Sequence, residues 1–426
     1  MDATTLLAGV QAYAHAQNEP DWLLKLREQA VAAYFKLPLP KFEKISYKDW
    51  PLFNFTAPTA TVSEPVTGEL AATAATQQFY AVGDSTIQLT LPAEALQQGV
   101  ILSDLRSAIQ HHGDLVQTYL MQKALKLGDD KLTALNTAMM TNGFFLYVPK
   151  NVELKAPIEI LQVVDNRTQQ NYFSHNLLIA DTNSQVNVIQ RLASVGDQAN
   201  AAHVLVEVVA EANSQVNFAG IDTLDCRTTA YLNRRGYLAN DAKLDWELAE
   251  MNAGDVIADF DSELKGRGSE AMVKTIAIAN REQTQGLDTR VTNYGKKTVA
   301  NIVQRGIILD AATLIFNGIG HIIKGAHGAK ADQENRLLML SSKARGDADP
   351  ILLIDENDVE AGHAASVGRV DEQQMYYLLS RGIPKPEAER LVIRGFLAGV
   401  ITELRSQRLR HELNALIERR LTDGND

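Results

Sequence analysis

Apolar residues recur at helical spacing near both ends of the chain and at alternating positions between them. Behind Asp21, which reads as an N-cap, Trp22, Leu26, Ala30, Val31, Tyr34 and Leu37 return every three or four residues, and Pro38 and Pro40 stop the run. With the segment before it, this predicts two helices over residues 1–40. Residues 57–76, rich in Ala and Thr with Pro58 and Pro65, predict a linker or loose loop. From about residue 140 the period changes. Val, Ile and Leu alternate with polar residues and are broken by Asn, Asp and Gly, the pattern of short strands. The alternation ends near residue 370. Asp371 then opens a helix that runs to about Arg381, with Gly382 as its stop. Pro386 begins another, with Leu391, Phe396, Leu397, Val400, Ile401 and Leu404 on one side, and Leu409, Leu413, Leu416, Ile417 and Leu421 extend the stripe. That stripe must cover the end of the strand region or a partner.

The strand region repeats itself. Asn-Ser-Gln-Val-Asn stands at 183–187 and again at 213–217, 30 residues on. A weaker relative, Asp-Ala-Lys-Leu-Asp, follows at 241–245, and another lies around Ala311, Ala312, Thr313, Leu314 and Ile315. One coil of short strands cannot bury its inward face alone, so coils stack and share a core. The reading is a solenoid, with chance similarity inside a β-sandwich as the alternative. The expected organisation is an N-terminal helical region and linker (1–75), a mixed α/β lead-in (76–140), a solenoid core (141–370) and a C-terminal helical domain (371–426).

Composition narrows the function. The chain has 426 residues, 45% of them hydrophobic, enough for a large core. A net charge of −11 with no long basic run argues against nucleic acid as a partner. No run of 18 apolar residues predicts a membrane span, and the first residues lack the basic start of a secretory signal, so a cytoplasmic protein is expected. One cysteine, Cys226, excludes an internal disulfide and an all-cysteine zinc or iron–sulfur site. As a lone thiol it is expected to be small, buried and apolar in role.

Catalytic motifs are missing. Gly318-Ile319-Gly320 and Gly325-Ala326-His327-Gly328 lack the Gly-Lys-Ser/Thr ending that cradles phosphate, and are expected at tight solenoid corners. No Gly-x-Ser-x-Gly elbow is present. His111-His112 lies in a polar helical stretch and reads as solvated. His321 and His327 are six apart, which is not one helix face. His363 stands between the acidic stretch 355–360 and the small residues Ala364, Ala365 and Ser366.

Several segments carry a resemblance. They are 19–27 (EPDWLLKLR) with 37–40 (LPLP), 135–138 (LNTA) with 143–150 (GFFLYVPK), 333–341 (QENRLLMLS), and 358–372 (DVEAGHAASVGRVDE) running on into 376–383 (YYLLSRGI). Together they resemble the SufB/SufD family of iron–sulfur cluster assembly proteins along nearly the whole chain. The resemblance implies a mainly β fold, a right-handed parallel β-helix flanked by N- and C-terminal helices. It also implies a non-catalytic subunit that pairs with a SufB-like partner through its β-helix and binds the ATPase SufC through its C-terminal helices.

The scaffold type within the family offers a cysteine in the late core and a glutamate just after the histidine. Here those places hold Asn335 and Ala364, so the chain falls on the SufD side. A cysteine common two residues before the histidine is Ala361 here. The resemblance therefore leaves His363 as the candidate ligand for iron or a transient iron–sulfur cluster shared with SufB, with no cofactor held stably by the chain alone. Tyr376, Arg381, Leu391 and Phe396 are the expected partner-binding residues of the C-terminal helices. Self-pairing of the isolated chain is a further expectation. The alternatives are a SufB-like cluster scaffold and a carbohydrate-active β-solenoid enzyme. The latter is disfavoured by the aromatic content of 6%, thin for a sugar-stacking groove.

Overall fold

The computed structural model describes residues 1–404 and 406–422; the ends of the expected C-terminal domain, 423–426, and Arg405 lie outside the described residues. From Phe144–Val148 onward, successive strands alternate between two sheets, one of ten strands ending with Val359–Arg369 and one of nine ending with Arg345–Ile354. Ser85–Leu89 and Ile101–Asp104 join the sheets antiparallel; every later neighbour is parallel. Each coil thus gives one strand to each sheet, and the chain is mainly β, a parallel β-solenoid with helices at both ends. Strand pairing starts before residue 141, because Phe79–Val82 lies parallel beside Ile158–Asn166.

The sequence repeat has a backbone cause. Gln185 pairs with Gln215, and Gln215 with Lys243, so the three related pentapeptides sit one above another. Asn183, Asn213 and Asp241 turn the same corner at φ values of 59°, 57° and 56°. Asn and Asp tolerate this left-handed conformation better than other side chains do. The Asn213 amide donates to Asn183 Oδ1 at 2.8 Å, and the Asn183 amide to Asn151 Oδ1 at 2.9 Å. Further up, the corner passes through Gly268, Lys297 and Gly328, all with positive φ. The relative at 311–315 belongs to another corner, where Asp310 and Arg281 take positive φ ahead of strands of the nine-stranded sheet. Its likeness is one of turn chemistry, not of position. Asn213→Val is therefore expected to destabilise by about 2 kcal/mol, combining left-handed strain with a lost ladder bond, whereas Asn213→Gly costs less. Denaturant midpoints of the two variants check this.

Inward positions alternate along every strand. Leu232, Trp246, Phe260, Leu314 and Phe316 fill the lumen and are buried. Gly325 and Gly328 stand at or beside a corner as expected, with φ of 100° and 72°. Gly318 and Gly320 do not, because both lie inside the strand Thr313–Ile322.

The helices dress the outside. Ala3–Ala16 and Asp21–Lys36 form the predicted pair, but Pro20 takes the cap position and Asp21 is already helical. Arg27 is buried there, bound to Glu19 at 2.6 Å and to the carbonyls of Ala138 and Met140 at 2.9 Å. The segment expected to be a loose loop is docked: Ser63 is buried and the Val66 N–H donates to the Tyr80 hydroxyl at 2.7 Å. Glu69–Ala74 is a short helix.

At the other end, Lys385–Ile401 and Gln407–Thr422 lie across the outer face of the ten-stranded sheet. Their Leu397, Val400, Ile401, Leu409, Leu413 and Ile417 pack on Ile221, Ile276, Ile278 and Ile307. The apolar stripe therefore covers a flank of the solenoid and leaves the end open. Leu391, assigned from its spacing to the same side, is exposed.

Candidate functional site

The open end is built by the last coil, Arg345–Ile354 and Val359–Arg369. Among the described residues, each of these strands has a strand neighbour on one side only, so each carries a free backbone edge. At Val359–Arg369 nearly every residue is exposed, whereas Ala329–Met339 beneath it buries alternate residues from Ala329 to Leu337. The row that faces the lumen can be read from the register. Ala331 and Leu337 belong to the lumen core, and they pair with Ala361 and Val367. Gln333 pairs with His363, and Asn335 with Ala365. His363 therefore stands in the lumen-facing row of the terminal coil, exposed, with the small residues Ala361 and Ala365 on either side along that row.

Beneath this mouth lies a polar layer. Gln333 Nε2 donates to the Ile351 carbonyl at 2.9 Å, tying one wall of the solenoid to the other. Gln333 Oε1 and both amide atoms of Asn335 are buried without a hydrogen-bond partner. Gly318 faces them from the opposite wall. A Cβ there would lie 2.6 Å from Gln333 Oε1 and 2.7 Å from Asn335 Nδ2, so these amides occupy the space the glycine leaves.

Deeper in the lumen sits a buried charged group. Arg234 meets Asp222 through two contacts of 2.8 Å and Glu250 at 3.3 Å. Burial, reinforced by the neighbouring Asp222 carboxylate, pushes Glu250 well above the usual carboxylate range. No sequence spacing signalled this group; its members come from three strands brought together by coil stacking.

The remaining candidates are dispersed. Cys226 is exposed, contrary to expectation, in the turn between Gln215–Thr223 and Thr228–Leu238. His111 is exposed at a helix end, its Nδ1 2.8 Å from the Ser107 carbonyl. His321 and His327 each face a carboxylate of the next coil, Asp355 at 3.3 Å and Glu356 at 3.4 Å. Among the described residues, no group of three or more His, Cys, Asp or Glu is placed to hold a metal ion. No helix among them is long and apolar enough to cross a membrane.

The C-terminal candidates fall into two sets. Asp371 caps the helix Glu372–Ser380 through the N–H groups of Gln373 and Gln374, and that helix buries none of its residues. Tyr376 is 75% exposed, Tyr377 56% and Leu391 41%. Tyr377, Leu378, Leu391 and Val392 line a shallow groove between this helix and the next. The Arg381 guanidinium lies 5.1 Å from the Tyr377 ring. Phe396 faces the other way, half-buried on the solenoid with the Arg305 guanidinium 5.7 Å from its ring.

Comparison with known proteins agrees with this architecture. Residues 163–396 match the SufBD core domain of SUF system FeS cluster assembly, and residues 71–160 match the SufBD N-terminal region. The chain is 41% identical to the iron–sulfur cluster assembly protein SufD of Bacillus subtilis, over 97% of each chain. It is 25% identical to iron–sulfur cluster assembly SufBD family proteins of Staphylococcus saprophyticus and Staphylococcus aureus, over 96% of this chain and 91% of theirs. With its core matched over more than half its length and a relative this similar from end to end, the chain belongs to the SufBD family of the SUF iron–sulfur cluster assembly system.

Proposed function

We propose that this chain is a non-catalytic assembly subunit that pairs through its open mouth with a SufB-like partner and presents His363 to the nascent cluster at their shared interface. The observation that carries this reading is the place of His363, in the lumen-facing row of an uncapped coil whose two strands keep free edges. A second solenoid end can add strands to those edges. Neutral imidazole is a competent iron ligand, and one imidazole alone holds iron weakly. Thiolate and carboxylate ligands therefore come from the partner, because here the corresponding places hold Asn335 and Ala364. The isolated chain holds no cluster stably on this account; its one thiol, Cys226, lies in a turn several coils below the mouth. The exposed groove beside Tyr377 and Leu391 is the surface for the SufC-like ATPase, since large apolar side chains left in solvent supply binding hot spots.

The test is His363→Ala in cells that lack the native subunit. The variant should fold, pair and bind the ATPase, while cluster-dependent activity falls by at least about tenfold, as expected when a metal-site residue is lost. His111→Ala, at an exposed helix end, should be silent. Full complementation by His363→Ala would make the histidine an ordinary surface residue.

A further inference from the structure

We propose that residues 42–53 form a proton-linked strap across the outer face of the nine-stranded sheet, seated on the terminal coil while the Asp288 carboxyl beneath it is protonated and loosened as that carboxyl ionises. The inference goes beyond the pairing proposed above and does not depend on it.

The strap runs across the strands, not along them. Near one end the Leu52 carbonyl accepts from Nε2 of the buried His203, in Asn200–Ala210, at 3.0 Å. Tyr47 and Leu52 are buried in one apolar cluster with Tyr231 and Ile257, from the next two strands of that sheet. Ile45 fills the space over Gly286, where a Cβ would lie 1.9 Å from its Cδ1. Lys44 then reaches the last coil, meeting Asp349 at 2.7 Å and Asp347 at 3.1 Å. It does so with a φ of 64°, a left-handed conformation that is unfavourable for a lysine and that the seated strap holds in place. The strap is thus a strained tether whose tip grips a strand of the mouth.

A column of polar side chains lies under it. Asp259 pairs in register with Asp288, Asp288 with Asn317 and Asn317 with Asp349. They stand in line on the outer face, since the neighbouring Ala258, Leu287, Phe316 and Ala348 face the lumen. The Arg235 guanidinium is engaged by Asp259 and Asp261, each at 2.6 Å. Asp288 has the Asn317 amide, which donates to its Oδ1 at 2.5 Å, while Arg290, two residues along, is exposed. From the strap, Glu43 adds a carboxylate near Asp288, and the Tyr47 phenol lies in the field of Asp130, Asp288 and Asp259. Lys44 is committed to the last coil. Covering an ionised carboxyl that has one neutral donor is unfavourable, so the seated strap favours the proton. Burial pushes Asp288 up to about 7 and Asp259 up to about 6. Released from the strap, Asp288 returns toward its ordinary value. Its contribution to seating is therefore whole below the ordinary carboxylate range and is lost as pH rises through about 7.

The experiment is amide hydrogen exchange of the full chain at about pH 5 and about pH 8, corrected for the intrinsic pH dependence of exchange. This range stays above His203, which burial lowers to about 4. Protection of residues 42–53 should fall at least about tenfold from the lower pH to the higher, and that of Arg345–Ile354 should fall with it. Asp288→Asn, which imitates the protonated carboxyl, should leave a fall of less than about twofold in the strap. Asp288→Ser also removes the charge and gives the same reading should Asp288→Asn fail to fold. Lys44→Met should keep the pH response of the strap and remove it from Arg345–Ile354. Equal protection of the wild-type strap at both pH values overturns the inference. So does a variant lacking the Asp288 carboxyl that loses protection as the wild type does, or a response of Arg345–Ile354 that survives Lys44→Met.

Discussion

Deleting residues 384–426 is expected to give an aggregating protein, not a bare solenoid that has merely lost a partner. The two long C-terminal helices bury Leu397, Val400, Leu409, Leu413 and Ile417 against the outer face of the ten-stranded sheet. Each such side chain contributes about 1.5–3 kcal/mol by leaving water, and removal would expose their isoleucine counterparts on the sheet as well. Ion pairs also pin the last helix, Arg191 to Glu412 at 2.7 Å and Arg408 to Glu159 at 2.6 Å. A patch of that size in solvent drives association. The clean probe of the proposed ATPase surface is the double variant Tyr376→Asp with Leu391→Asp, because both residues are exposed. It should keep stability within about 0.5 kcal/mol per site and lose ATPase binding by about a hundredfold or more. Size-exclusion chromatography of the deletion and calorimetry of the double variant decide the matter. A soluble deletion with a native melting curve, or a double variant that still binds the ATPase, would contradict it.

Arg234→Met should be among the most destabilising single changes in the chain. The guanidinium lies in the lumen between Asp222 and Glu250, and all three side chains are shut off from water. Removing the cation leaves Asp222 and Glu250 buried without their shared guanidinium, a loss of about 3–5 kcal/mol. The pH dependence follows from the raised affinity of the folded site for protons. A carboxyl whose folded pKa lies above its unfolded value stabilises below the unfolded value, and that contribution is lost as pH rises through the folded value. Glu250 is raised already in the native protein, by burial first and by Asp222 second. The variant should therefore be weaker at the higher of two pH values and regain part of its loss at the lower, as Glu250 takes up its proton. Urea denaturation at the two pH values tests this; a loss that does not change with pH would show that the arginine acts through packing alone.

How much of this was legible in the sequence depends on the range of the contact. The corner at Asn183 and Asn213 was readable, because a left-handed turn restricts its residues and repeats them coil by coil. The helix after Asp371 was readable from its cap and its glycine stop. Solenoid geometry hid other features. Leu391 lies within the stripe of its helix by spacing but points to solvent, since the flat sheet beneath accepts only a narrow face. Gly318 and Gly320 look like turn residues, yet they sit in a strand, and Gly318 makes room for two amides across the lumen. Cys226 was expected inside and lies in an exposed turn, because a lone cysteine carries no pattern that places it. The Arg234 group and the alignment of Gln333 with His363 depend on register between coils, which runs of alternating residues do not fix. His363 itself was singled out by resemblance; its lumen-facing, uncapped position is what the fold adds.

The central claim, that the mouth is the pairing surface and brings His363 to the interface, is tested most directly by amide hydrogen exchange. The chain is followed alone and with the SufB-like subunit added in excess. The account predicts fast exchange across Val359–Arg369 in the isolated chain, where one backbone edge is free, and strong slowing there and across Arg345–Ile354 on mixing. Protection that falls elsewhere, with the backbone around His363 exchanging as fast in the complex as alone, would contradict it.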